Sequence, residues 1–112
     1  MLFRSTTNRV ESLRKKLDVT QKVLARILGV TERTIIDLEG GRPLSQGISR
    51  RVTELDRLQR DLTKVVRSKS IGPWLTQPND AFDGNTPADL IANGKVDLLW
   101  QMIFELRSGT TS

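Results

Sequence analysis

Gln21-Lys22-Val23-Leu24-Ala25-Arg26-Ile27-Leu28-Gly29-Val30-Thr31-Glu32-Arg33-Thr34-Ile35-Ile36-Asp37-Leu38-Glu39-Gly40 is the stretch on which the fold turns. Val23, Leu24, Ile27 and Leu28 recur at helical spacing, and Thr20 in front of them is a good N-cap. Gly29 stops this helix, because the position just past a helix C-terminus usually takes a left-handed backbone that glycine adopts at no steric cost. Thr31 then caps a second helix, Glu32 to Glu39, whose inward residues are Ile35 and Leu38. Ala25 is small where two helices must cross closely, and Leu24, Val30, Ile35 and Leu38 fill the angle between them. The pattern is that of a helix-turn-helix. In such a motif the N-terminal residues of the second helix meet base edges while the first helix crosses the phosphate backbone.

Working outward, Val10, Leu13 and Leu17 predict an amphipathic helix over Thr7 to Leu17. Gly40-Gly41-Arg42-Pro43 ends the helix that begins after Thr31. A longer helix starts near Ser45 or Ser49 and runs to about Arg67, with Ile48, Val52, Leu55, Leu58, Leu62 and Val65 mostly on one face. The last four step by three, four and three, so packing within the domain and contact with a second copy are both open. After Lys69 the composition shifts to Gly, Pro, Asn and Asp. Residues 70–85 read as turns and a single-turn helix pinned by Trp74, Leu75 and Phe82. Thr86-Pro87-Ala88-Asp89 is a strong helix start: a capping threonine, proline at the first helical position and an acid facing the free amides. That helix stops by Gly94, and a last one runs from Lys95 to about Arg107. No period-two strand is present, so the expected class is all-α, a helix-turn-helix bundle over 1–69 followed by a small helical domain over 70–112.

Composition sets limits on function. The 112 residues, 37% hydrophobic and 28% charged, suit a soluble globular chain with a small core. No apolar run approaches the roughly 20 residues that cross a bilayer, so no membrane association is expected. Met1-Leu2-Phe3-Arg4-Ser5-Thr6 lacks a hydrophobic signal segment, and the expected location is cytoplasmic, on the nucleoid when DNA-bound. Neither cysteine nor histidine occurs, which removes disulfides, zinc-finger sites and thiol or imidazole catalysis. No nucleophile–base pair or phosphate-binding glycine loop stands out, so no enzyme activity, cofactor or metal is expected. The net charge is +5, unevenly spread: residues 1–69 hold 16 Lys and Arg against 8 Asp and Glu, residues 70–112 only 2 against 5. A basic first half suits a polyanion, since each neutralised phosphate releases counterions.

The candidate DNA-binding residues follow from the motif. Thr31, Glu32, Arg33, Thr34 and Asp37 fall on the open side of the recognition helix. Arg33 is the candidate for a guanine, because its planar fork matches two major-groove acceptors. Gln21 and Thr31 are candidates for phosphate contacts, aided by free helix amides, and Lys22, Arg26 and Arg42 are weaker ones. Glu32, Asp37 and Glu39 make this helix less basic than its surroundings.

The last helix has too much apolar surface for its neighbours. Val96, Leu98, Leu99, Trp100, Met102, Ile103, Phe104 and Leu106 leave only a narrow polar stripe of Asp97, Gln101 and Glu105. Leaving several such side chains in water forgoes roughly 1.5–3 kcal/mol each. This helix therefore centres a core and self-association surface, or awaits a partner protein, and the two are compatible.

Two resemblances add to these readings. Leu28-Gly29-Val30-Thr31-Glu32-Arg33-Thr34-Ile35 with Glu39-Gly40-Gly41-Arg42 resembles the Xre/Cro repressor type of helix-turn-helix, over roughly residues 10–66. Pro73-Trp74-Leu75, Pro78-Asn79, Phe82, Gly84, Thr86-Pro87-Ala88-Asp89-Leu90-Ile91 and Gly94 are similar to the toxin-binding domain of the Xre/MbcA/ParS antitoxin family, over about 71–109. That resemblance implies a homodimeric antitoxin that blocks a RES-domain toxin, an enzyme that consumes or transfers from NAD. The complex would repress its own operon by presenting paired recognition helices to an inverted repeat. Carried onto this chain, the toxin contacts are Trp100, Ile103, Phe104 and Arg107, extended by Ser108 and Gly109. Two alternatives stay open: a stand-alone dimeric repressor, and a pure protein inhibitor whose helix-turn-helix no longer reads DNA.

Overall fold

The computed structural model describes residues 8–109. Seven α-helices and two single-turn 3-10 helices, with no strand, make up the described residues. The expected all-α class is what is found.

Helix α1 spans Arg9–Leu17, and Asn8 caps it by accepting from the amides of Val10 and Glu11. The expected start at Thr7 lies outside the described residues. Helix α2 spans Gln21–Leu28, with Thr20 accepting from the Val23 amide. Gly29 follows at φ 73°, the left-handed conformation anticipated for the turn. Helix α3 spans Glu32–Glu39, capped by Thr31 through the Thr34 amide. In each of these helices the cap is a side-chain oxygen that satisfies an otherwise orphaned amide.

Helix α4 spans Gln46–Leu62, ending five residues before the expected Arg67. Its end tightens into a turn in which the amides of Val65 and Val66 both bond to the Leu62 carbonyl, at 3.0 and 2.7 Å. Adjacent valines on a continuing helix would point about 100° apart. Here both pack against the core. A 3-10 turn at Ser68–Ser70 leads into α5 (Ile71–Thr76), and a second at Asp80–Phe82 precedes α6 (Pro87–Ala92). Helix α7 spans Val96–Ser108.

Packing ignores the compositional break at residue 69. The buried side chains form a single cluster to which α1 to α4 give Leu13, Leu24, Leu28, Ile35 and Leu58 among others, and the later segment gives Ile71, Leu75, Leu90, Leu99 and Ile103. Helix α6 lies on α2, α5 on α6, and α7 on α4 and α6. Gly72 is buried, and a Cβ there would run into the backbone carbonyl of Asp18 at the end of α1. Arg26 of α2 and Asp89 of α6 form an ion pair across the same seam. Helix α2 is thus covered on its outer side by the C-terminal segment.

Candidate functional site

Two separate surfaces answer to the sequence expectations, and the first is built on α2 and α3. Their crossing is fixed from behind. Arg14 of α1 grips Glu39, the last residue of α3, with two hydrogen bonds of 2.7 and 3.0 Å, and Gln21 of α2 donates to the same carboxylate at 3.2 Å. Asn8 adds a bond to the Leu38 carbonyl at 2.8 Å. The Arg14 hydrogen bonds hold the Glu39 carboxyl below the usual range against the opposing effect of burial, and Gln21 assists. The same contact raises Arg14. Three helices are pinned at one carboxylate.

That arrangement sorts the sequence candidates. Gln21 is half-buried and committed to Glu39, so it braces α3 and is not free to hold a phosphate. Thr31 spends its hydroxyl on the Thr34 amide at 3.1 Å and lies 2.9 Å from the Thr34 hydroxyl, which leaves both residues as cap. Glu32, Arg33, Lys22 and Arg42 are exposed. The Arg33 side chain is 81% exposed, and its Nε lies 3.4 Å from Asp37, which also faces Arg42 at 4.0 Å. Asp37 is therefore flanked by two cations, and much of the acidity on this helix is neutralised within the chain. Arg26 is engaged by Asp89.

The sequence reading passed over Ile36. It is 42% exposed on the open face of α3 beside Arg33. The signal was the Ile35-Ile36 pair: neighbours on a helix point about 100° apart, and with Ile35 fully buried Ile36 falls at the edge of the buried face.

The second surface is α7. Leu99 and Ile103 enter the core, whereas Leu98, Phe104 and Leu106 stay exposed, Phe104 at 70%. The expected excess of apolar surface is present. Trp100, Ile103, Phe104, Arg107 and Ser108 line one open cavity of about 420 Å³ together with Asp61 at the end of α4. One assignment needs correction: Ile103 is only 2% exposed, because it packs into the chain's own core and forms the floor of this cavity. Trp100 is half-buried on the same wall, and Arg107, Ser108 and Gly109 are exposed. Asp61 was missed, since nothing in sequence places the end of α4 beside the end of α7.

Among the described residues no cluster of acidic side chains could hold a metal ion. Among the described residues no helix is long and apolar enough to cross a membrane.

No family model matches the sequence, and no curated protein matches it. Among solved structures, the chain is similar to a chain of the crystal structure of the M. tuberculosis MbcT–MbcA toxin–antitoxin complex. The TM-score is 0.76 at 20% identity, over 98% of this chain and 100% of that one. The likeness covers both surfaces and shows that the fold is shared from end to end.

Proposed function

We propose that this protein is an antitoxin that neutralises a cognate toxin by stoichiometric binding through α7, not by catalysis. The observation that supports it most is Phe104, a large aromatic side chain 70% exposed at the rim of the cavity formed with Trp100, Arg107 and Asp61. Interface hot spots are enriched in tryptophan, tyrosine and arginine, and Trp100 and Arg107 stand beside Phe104 here. The full-length likeness to a chain of a toxin–antitoxin complex supports the same reading. Following the family resemblance in the sequence, the partner is a RES-domain enzyme, and occupation of α7 blocks its active-site entrance.

The α2–α3 surface supports a second role, autorepression as a homodimer on an inverted repeat. Arg33 would read guanine and Ile36 the methyl group of a thymine, while Lys22 and Arg42 meet phosphates. The flanking of Asp37 by Arg33 and Arg42 favours the competing reading of a pure inhibitor, because it ties up two of these cations.

Co-expression with the neighbouring gene's product tests the main proposal. The wild-type chain should co-purify with that product and restore growth, whereas Phe104→Asp should lose both with an unchanged circular dichroism spectrum. Retained rescue by the variant would exclude α7 as the toxin-binding face. For the DNA role, Arg33→Ala should weaken binding to the chain's own upstream duplex by roughly 1–3 kcal/mol. Failure of the wild type to bind that duplex at low salt would leave the pure inhibitor.

A further inference from the structure

Helix α7 has a second exposed stripe, on the side of the core opposite the Trp100–Phe104 cavity. Leu98, Met102 and Glu105 follow one another at spacings of four and three and so share a face of α7, and Lys95, its N-cap, stands three residues before Leu98 at the same edge. All four line a single groove of about 370 Å³, whose far wall includes Phe82 and Leu90. Leu98 is 43% exposed, Met102 half-buried, and both charged residues are exposed. Neither Lys95 nor Glu105 has an ion-pair partner among the described residues.

The order of these residues has a symmetry. Lys95 and Glu105 lie equally far on either side of position 100, and so do Leu98 and Met102. When a helix packs antiparallel against its own copy about a two-fold axis, residues equidistant from the axis meet. With the axis at position 100, Lys95 faces Glu105 of the other copy at both ends, about 15 Å apart along the helix at 1.5 Å per residue. Leu98 then faces Met102 of the other copy on both sides of the axis. Each charge meets its opposite and each apolar group an apolar one. A parallel arrangement would set like against like, lysine on lysine and glutamate on glutamate.

We propose that this stripe is the surface through which two copies of the chain associate, by antiparallel pairing of α7. This deepens the homodimer within the proposed function and leaves the Trp100–Phe104 cavity free for the toxin. One helix would serve two partners, a second copy on one flank and the neutralised protein on the other.

Sedimentation equilibrium of the full chain and a charge exchange test it. Lys95→Glu alone places glutamate against glutamate at both ends of the dimer, and Glu105→Lys alone places lysine against lysine. Each single variant should weaken self-association by about tenfold or more, since two attractive pairs become repulsive. The double exchange, Lys95→Glu with Glu105→Lys, should restore association to within about threefold of wild type, because the pairs re-form reversed. Both positions are exposed, so folding should be unaffected, as thermal melts would verify. A dimer that persists unchanged in both single variants, or one that the double exchange fails to restore, overturns this interface and leaves the antitoxin reading standing. A wild-type chain that is monomeric at high micromolar concentration overturns the homodimer as well.

Discussion

At the scale of single residues, Glu39 does more for the fold than its place at a helix end suggests. Its carboxylate accepts from Arg14 twice and from Gln21 once, so α1, α2 and α3 meet at one group. Removing its charge should destabilise the chain by about 1–3 kcal/mol near neutral pH, the range for a charge-assisted hydrogen-bonded contact. Chemical denaturation of Glu39→Gln at pH 7 measures this. The pH dependence has a definite sign. The folded carboxyl titrates below its unfolded value of about 4.3, so the stabilisation is complete above that pH and is lost as pH falls through the folded value. The gap between wild type and Glu39→Gln should therefore shrink on acidification below about pH 4, and a gap that stays constant down to pH 2 would contradict the pairing. Gly29 makes a simpler case. Its φ of 73° suits few side chains, and a Cβ would sit 3.1 Å from the Arg51 guanidinium, which itself bonds the Leu28 carbonyl. Gly29→Val should lower the melting temperature by the equivalent of about 1–3 kcal/mol. An unaltered melting curve would mean that the turn is formed differently.

At the scale of elements, the boundaries legible in the sequence are those set by local chemistry. Thr20, Thr31 and Thr86 each accept from an amide three residues on, so the helices behind them start where the sequence places them. Gly29 and Gly94 terminate helices through their own backbone preferences. The early end of α4 was not legible, because it depends on where Val65 and Val66 find the core. Nor was the burial of Ile103, since the apolar face of α7 is wide and only packing decides which part turns inward. Gly72 is the clearest such residue. It reads as part of a loose, turn-rich segment, yet it is buried in α5 against the Asp18 carbonyl, where no larger residue fits. Gly72→Ala adds one methyl group to a helix and by propensity alone should stabilise it. The contact with backbone predicts the reverse, a loss of about 1–3 kcal/mol, as for overpacking elsewhere. Thermal unfolding distinguishes the two by sign.

At the scale of the whole molecule, the question is whether α7 and α3, which carry the two proposed binding surfaces, belong to one cooperative unit. The basic first half and the turn-rich second half suggest two modules, but the seam between them is built like a core. Leu99 of α7 is fully buried, α7 rests on α4 and α6, and α6 rests on α2. Leu99→Ala should cost about 2–5 kcal/mol, the usual range for a large-to-small change in a packed interior. If the chain unfolds as one unit, that loss should appear far from the mutation. The slowest-exchanging amides of α2, around Leu24 and Leu28, should lose protection by the same free energy as those of α7. Hydrogen exchange of the variant measures both at once. Equal losses would mean that a protein bound at α7 also stabilises the helices that present Arg33 and Ile36, because a ligand of the native state stabilises everything that unfolds with its site. Undiminished protection in α2 would mean that α7 opens alone, and that occupation of one surface leaves the other energetically untouched.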